Sequence, residues 1–176
     1  MLRAMEPAAL RTIRNEHMAL SAMLRSLVLL LDQARDRGQR PPFDALRAML
    51  FYIDEFPERL HHPKECELLF PKLRQRKPDL APVLDALEHD HARGEASARE
   101  LQYRLLAYEL LVEPRREAFY AAARHYVDRY LRHMALEENA VLPAARQWFD
   151  DSDWVELNAA FEANRDPLAG HDPSGE

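Results

Sequence analysis

Apolar residues recur along most of this chain at alternating spacings of three and four, the period of helices that bury one face. The first such series predicts a helix from about residue 7 to residue 37, ended by Gly38. Its seam consists of Leu10, Ile13, His17, Leu20, Leu24, Leu27 and Leu31. Three further series, delimited by prolines and short linkers, predict helices at about 43–76, 82–113 and 115–148.

The linkers between these predicted helices are short, so consecutive helices should lie antiparallel. The sequence therefore predicts an all-α fold, an antiparallel up-down-up-down four-helix bundle. A DDSD stretch indicates the start of a short fifth C-terminal helix near 153–164, whose apolar residues would pack on the bundle. We expect one domain over residues 1–165 and a flexible C-terminal tail over residues 166–176.

The second predicted helix is irregular because two prolines interrupt it. Pro57 and Pro63 each lack a backbone donor and clash with the preceding turn. We therefore expect a kink in this helix, beside the stretch HHPKECELLFP.

The composition mainly excludes certain partners and structural features. The formal net charge is −6 and basic residues form no patch, so nucleic acid is not an expected partner. Cys66 is the only cysteine, which excludes an internal disulfide. No apolar run is long enough for a signal peptide or a membrane span, so we expect a cytoplasmic protein with no membrane partner.

Polar residues converge on one face of each predicted long helix. Three histidines stand at seam positions, and two glutamates each follow a histidine by four residues, so that each pair projects from one helix face. The six candidate metal ligands are His17, His61, Glu65, His91, His133 and Glu137.

These six side chains are predicted to lie at one height. His17 is 23 residues before the first turn, near residue 40, and the midpoint of His61 and Glu65 is 23 residues after it. Around the third turn, near residue 113, His91 and the midpoint of the second His–Glu pair are each 22 residues away. In an antiparallel bundle, equal distances from a shared turn mean equal height.

A metal would satisfy all six groups together, whereas burying them unpaired is very costly. Imidazole and carboxylate ligands without a thiolate suit iron, manganese or zinc. Two carboxylates on different helices could bridge two ions, each completed by two histidines, with one position left open. This favours a non-haem diiron site over mononuclear zinc, and a metal-free polar network is the alternative.

With these residues, the chain resembles a hemerythrin-like protein of the HHE cation-binding family. The resemblance runs from NEH in the first helix, through FPERLHHPKECELLFP, LEHDHARGE and HMALEENAVLP, to DWVELNAAFEANRDPL. It implies a four-helix bundle with two iron ions in an oxo- or hydroxo-bridged diiron centre, zinc and manganese being less favoured.

The resemblance also implies ligand roles, residue by residue. The family's helix 1 ligand falls on His17, the helix 2 pair on His61 and Glu65, the helix 3 ligand on His91, and the helix 4 pair on His133 and Glu137. Oxygen-carrying hemerythrins have a second helix 3 histidine and a helix 4 aspartate where this chain has Glu95 and Glu138. The set resembles the repair-type and sensor-type members more closely.

Neighbouring residues are interpreted from their helical phase. His89 should face away from His91, because two residues correspond to roughly 200° around a helix. His62 is expected to be solvated or to support a ligand, and Cys66 to point elsewhere without a role.

Four more residues have two interpretations or an optional role. Glu95 is expected to be within reach of the metal as an optional ligand. Tyr126 and Tyr130 are interpreted as core aromatics, with hydrogen bonding to a ligand as the alternative. Gly94 either makes room for a small ligand or allows close helix packing.

Three functions remain open. The favoured one is a diiron protein that binds or senses dioxygen, nitric oxide or peroxide at an open iron site, in a dry pocket lined by Leu20 and Leu24. The second is an enzyme of peroxide detoxification or nitric-oxide-linked iron–sulfur cluster repair. The third is a structural bundle that metal merely stabilises.

Overall fold

The computed structural model describes residues 6–111 and 113–169, and within these ranges the chain is helical and contains no strand. This confirms the predicted all-α fold. The five helices of the described residues are α1 (Ala8–Asp36), α2 (43–76), α3 (Ala81–Leu111), α4 (113–148) and α5 (Asp151–Glu162). A 3-10 turn, Pro78–Leu80, precedes α3. The predicted helix ends agree with these bounds to within about two residues.

The helices pack as a bundle in which each of α1 to α3 contacts the next one along the chain, and α4 also contacts α1. The short α5 lies against α1, where the Ala9 backbone N–H donates to Asn158 Oδ1 at 2.8 Å. The acidic stretch before α5 forms a capping box, since Asp150 accepts from the Asp153 backbone N–H and Asp153 accepts from that of Asp150.

Two apolar cores fill the bundle, one on each side of a polar layer. The upper core includes Leu24, Leu27, Leu50, Leu101 and Phe119. The lower core includes Leu10, Ile13, Phe70, Leu84 and Leu142. On α1 the lower core precedes His17 and the upper core follows it. None of the helices within the described ranges has both the length and the apolar character that a bilayer crossing requires.

Helices α2 and α4 widen into π turns at the polar layer. The π turns are Asp54–His61 and Glu65–Leu69 in α2, and Glu137–Val141 in α4. Pro57 lies in the first, and Pro71 and Pro143 follow the other two. A proline has no N–H for the carbonyl four residues earlier and its ring collides with it, so a widened turn accommodates it. The irregularity expected for α2 thus takes this form, and α4 shares it.

The chain after α5 stays in contact with the bundle. Arg165 adopts a left-handed backbone conformation, with φ of 46°. The Tyr52 hydroxyl then donates to Asp166 Oδ2 at 2.6 Å. Residues 1–5 of the expected domain and 170–176 of the expected tail lie outside the described residues.

Candidate metal centre

The six predicted ligand residues meet in one buried layer between the two cores. Their side chains are at most 7% exposed, and those of Glu65 and Glu137 are at most 1% exposed. Helices α1 and α3 each contribute one histidine, and α2 and α4 each contribute a His–Glu pair. The structure therefore brings all six residues together, while their role as ligands stays a prediction.

Glu65 lies between two histidines that come from different helices. Its Oε1 is 3.2 Å from His61 Nε2, and its Oε2 is 3.5 Å from His91 Nε2. Two groups of residues that could hold a cation share this glutamate, and in each the ligand atoms lie within 4.8 Å of one another. These groups are His17, His61 and Glu65, and Glu65, His91 and Glu137.

Glu137, on α4, likewise lies between two histidines, one from α1 and one from α4. Its Oε2 is 3.3 Å from His17 Nε2, and its Oε1 is 3.1 Å from His133 Nε2. The same Oε1 lies 3.6 Å from His91 Nε2. Each of the two carboxylates thus has one oxygen near each of two histidine pairs, a first pair of His17 and His61 and a second pair of His91 and His133.

Five buried atoms in this layer have no hydrogen-bond partner among the described residues. They are His61 Nε2, both oxygens of Glu65 and both oxygens of Glu137. Ring nitrogens approach these oxygens, but without hydrogen-bond geometry. A buried polar atom left unsatisfied costs about 1–3 kcal/mol, and more when it is charged. A cation bound among them would satisfy all five, so the residues fit a metal.

The charges of the layer also favour a cation. Burial by itself lowers the pKa of His133, but Glu137 and Glu65 raise that pKa to about 9. Burial also lowers the pKa of His61, but Glu65 and Glu16 together outweigh burial and raise that pKa well above its usual value. Against burial, His133 holds the pKa of Glu137 well below its usual range. The two carboxylates therefore attract positive charge into the layer.

Each of the four histidines has a further partner at Nδ1. The pairs are His61 with Glu16 Oε2 (2.5 Å), His17 with Glu138 Oε1 (3.1 Å), His133 with Asp90 Oδ2 (3.4 Å) and His91 with Cys66 Sγ (3.1 Å). An N–H held at Nδ1 leaves the Nε2 lone pair free, which is how metal-binding histidines are commonly oriented. All four Nε2 atoms then face Glu65 or Glu137.

Sequence reasoning missed most of these Nδ1 partners. The expectation that Cys66 points elsewhere is wrong, because its thiol contacts His91 from within the π turn Glu65–Leu69. Glu16 is buried although it is not one of the residues of the predicted α1 seam. The proximity of Glu16 to His17 in NEH was the only local signal, since its partner His61 is 45 residues away.

His62 is buried, so the expectation of a solvated side chain is wrong, and the alternative of a supporting role fits. Its Nδ1 is 3.0 Å from Glu58 Oε2, and its Nε2 is 3.1 Å from the Tyr130 hydroxyl. Its ring stacks on that of His91, with centroids 4.0 Å apart and planes at 13°.

His62 also belongs to a third group that could hold a cation, with His91 and His133. Stacked parallel rings direct their in-plane lone pairs side by side rather than toward a common point. His62 and His91 therefore cannot share one ion in this arrangement. With both ring nitrogens already paired, His62 instead supports His91 by packing.

A buried hydrogen-bonded group extends from His62 toward α4. Glu58 accepts from His62 and from the Tyr126 hydroxyl, at 3.0 and 3.4 Å. Burial raises the pKa of Glu58 to about 7, against the opposing effect of the two tyrosine hydroxyls. Tyr126 and Tyr130 belong to the upper core, as interpreted, and their hydroxyls contact Glu58 and His62 rather than a predicted ligand.

Two other residues of α3 lie away from the layer. Glu95 is exposed and pairs with Arg99, so the expectation that it is within reach of the metal is wrong. His89 is exposed, in agreement with its predicted phase.

A small cavity adjoins the layer at His17 and His61. Its volume is about 10 Å³, roughly the space of one water molecule. Leu20 and Met134 form part of its apolar wall, and Leu20 was predicted to do so. Leu24 belongs to the upper core instead.

Comparison with protein families matches residues 8–145 to the domain described as "Hemerythrin HHE cation binding domain". The chain belongs to the hemerythrin HHE cation-binding family. Comparisons with curated proteins and with solved structures gave no significant match. The matched range of this hemerythrin-family protein includes all six residues of the layer, and α5 lies beyond it. Its His/Glu clusters are able to hold metal cations.

Proposed function

We propose that this hemerythrin-family protein holds two iron ions in a non-haem dinuclear centre and binds or senses a small ligand there. The ligand would be dioxygen, nitric oxide or peroxide. One observation carries the proposal, namely that all four carboxylate oxygens of Glu65 and Glu137 are buried without hydrogen-bond partners among the described residues. Each oxygen faces a histidine, so both carboxylates are suited to bridge two ions.

The proposed ligand set divides into two halves. His17 and His61 would hold one ion, His91 and His133 the other, and Glu65 and Glu137 would bridge them. The donors are imidazole and carboxylate, without a coordinating thiolate. This set suits iron better than it suits copper(I) or a structural zinc ion. Iron, when bound, supplies the ligand affinity and the redox chemistry.

The protein contributes orientation and exclusion of water. The Nδ1 partners, such as Glu16 for His61, fix which ring nitrogen carries the proton and which faces the centre. Leu20 and Met134 line the adjoining cavity and limit it to a ligand of a few atoms. Simple oxygen carriage is less favoured, because Glu95 is exposed where oxygen carriers have a second histidine on this helix.

We further propose the up-down-up-down topology, with one domain over residues 1–165 and a cytoplasmic location. The order of the two cores along the helices supports the topology. On α1 and α3 the lower core precedes the polar layer, whereas on α2 and α4 it follows the layer. Alternating order is what antiparallel neighbours produce.

Metal analysis with matched histidine variants tests the proposal. Protein from iron-supplemented cells should contain about two iron ions per chain, and its absorption spectrum should change on adding azide, peroxide or nitric oxide. His91→Ala should lose iron, whereas His89→Ala on the exposed face should keep it. Fewer than one iron per chain, with stoichiometric zinc and no spectral response, would contradict the proposal and favour the structural bundle.

The same protein tests the enzyme alternative. Turnover of peroxide that is lost in His133→Ala would favour peroxide detoxification over binding or sensing. Restoration of a nitric-oxide-damaged iron–sulfur protein, lost in the same variant, would favour cluster repair. Spectral changes without turnover would leave binding or sensing as the function.

A further inference from the structure

The end of the described chain reaches into the candidate metal centre. Asn164, two residues after α5, is 5% exposed. Its Nδ2 donates to both carboxylate oxygens of Glu16, at 2.9 and 3.1 Å, and its Oδ1 accepts from Lys64 Nζ. A carboxylate requires the amide's N–H groups and an ammonium requires its oxygen, so these two charged partners fix the orientation of the amide.

Glu16 connects this amide to a ligand histidine. The same Oε2 that accepts from Asn164 lies 2.5 Å from His61 Nδ1. On its other side, His61 presents Nε2 to Glu65 at 3.2 Å. A chain of contacts therefore runs from the C-terminal segment through Glu16 and His61 to the proposed bridging carboxylate. Phe161 adds an edge contact to the His61 ring, at 5.6 Å and 76°.

The same segment forms part of the wall of the small cavity. Asn164 and Asp166 both line this cavity, together with the apolar side chain of Leu20. The left-handed conformation of Arg165 turns the chain so that Asp166 can accept from the Tyr52 hydroxyl at 2.6 Å. Asp166 is thereby held at the cavity by α2.

We propose that the segment 161–166 completes the metal centre. In this proposal Asn164 is a positioning residue that holds Glu16 against His61, and Asp166 is a wall of the ligand cavity that governs ligand access. The segment lies beyond the family match over residues 8–145, although the sequence resemblance runs through it to residue 168. The inference rests on the proposed function, since it takes His61 as a metal ligand.

The positioning role is tested by iron(II) affinity, measured by competition with a chromophoric chelator. Asn164→Ala and Asn164→Asp should each weaken iron binding about 10-fold or more, the range for residues that orient metal ligands. The matched control is Asn158→Ala, which removes the hydrogen bond from Ala9 on the same α1–α5 interface, and within the described residues Asn158 has no hydrogen bond to a proposed ligand. It should change affinity less than about 2-fold.

A double variant separates positioning from general destabilisation. Glu16→Gln should weaken iron binding at least as much as Asn164→Ala, because it removes the group that Asn164 holds. If Asn164 acts through Glu16, adding Asn164→Ala to Glu16→Gln should cost little more. Additive losses, or equal effects of Asn164→Ala and Asn158→Ala, would overturn the positioning role.

The wall is tested with azide as the probe, by stopped-flow on the iron-loaded protein. Asp166→Ala should keep the iron content and raise the azide association rate several-fold, because it frees the segment from Tyr52. Asp166→Asn keeps an acceptor for that hydroxyl and removes the charge, so a rate close to wild type would assign the effect to the hydrogen bond. A wild-type rate in Asp166→Ala would overturn the role of Asp166.

The two proposals fail in different ways. Wild-type protein that binds less than one iron would contradict the proposed function. Wild-type protein that binds two ions, with Asn164 variants indistinguishable from Asn158→Ala, would contradict only the role of the segment.

Discussion

The carboxylate of Glu58 occupies the space that a side chain at Gly94 would need. A Cβ at position 94 would lie 2.0 Å from Glu58 Oε2 and 2.6 Å from its Cδ. That carboxylate is held by His62 at 3.0 Å and by the Tyr126 hydroxyl at 3.4 Å. Of the two interpretations offered for Gly94, close packing fits, because Glu58 of α2 lies directly against the α3 backbone and fills the room that a small ligand would need.

We expect Gly94→Ala to lower the free energy of unfolding by about 1 kcal/mol. The new methyl group displaces Glu58 and leaves buried polar groups unsatisfied, which costs about 1–3 kcal/mol. Alanine in a helix interior offsets about 0.5–1 kcal/mol of this loss relative to glycine. Urea unfolding of the two proteins measures the difference.

The control for this prediction is the same substitution in a Glu58→Ala background. With the carboxylate gone, Gly94→Ala should become stabilising by about 0.5–1 kcal/mol, because only the helix preference remains. A loss of stability of equal size in both backgrounds would show that the clash does not involve Glu58.

Glu137 and Glu138 are adjacent in sequence, and we expect their substitution to have different effects. Glu137 is fully buried, with oxygens 3.3 and 3.1 Å from His17 and His133, so Glu137→Gln should lose at least one metal ion per chain. The Glu138 side chain is 44% exposed, and its Oε1 contacts the far nitrogen of His17, Nδ1, at 3.1 Å. Glu138→Gln should therefore keep the metal content, with affinity weakened about 10-fold.

Metal analysis and chelator competition distinguish these two variants. Loss of metal in Glu138→Gln with retention in Glu137→Gln would mean that Glu138 supplies the ligand oxygen. That result would agree with the oxygen-carrying members, whose helix 4 carboxylate stands five residues after the histidine.

Regular helical periodicity predicted most of the fold and most of the layer. The seam of α1 and the repeated His–Glu spacing in α2 and α4 follow a period that local sequence reveals. Periodicity gave wrong predictions where a helix departs from that period. His62 and Cys66 follow or lie within π turns, and a wheel drawn at 100° per residue gives such residues the wrong face.

Contacts between residues distant in sequence were also beyond local patterns. Asn164 is 148 residues from Glu16, and nothing near either residue indicates the other. Glu95 shows the opposite error, since a family resemblance suggested a ligand position where the side chain is exposed and pairs with Arg99. Glu95 follows His91 by four residues, so its helical phase also placed it near the ligand face, and its exposure depends on where the neighbouring helices pack.

Metal removal should destabilise the protein by several kcal/mol. Without a cation, the oxygens of Glu65 and Glu137 stay buried and unsatisfied, at about 1–3 kcal/mol for each group. Binding to the folded state alone adds further stability that grows with metal concentration. Thermal and urea unfolding of chelator-treated and iron-loaded protein measure the difference. His91→Ala is the control, since its stability should depend much less on added iron; equal stability of both wild-type forms would contradict the prediction.

Of the four histidines in the layer, His91 has the weakest Nδ1 partner, so removing that partner should weaken metal binding the least. His61 is held by the Glu16 carboxylate, whereas His91 faces the Cys66 thiol at 3.1 Å, and sulfur is a weak acceptor. Stacking on His62 and on Phe70, at 4.0 and 5.6 Å, also fixes the His91 ring without any hydrogen bond. Cys66→Ala should therefore weaken iron binding less than about 3-fold, and Glu16→Gln about 10-fold or more. If chelator competition shows the two losses to be equal, the thiol orients His91 as strongly as a carboxylate would, and stacking contributes little.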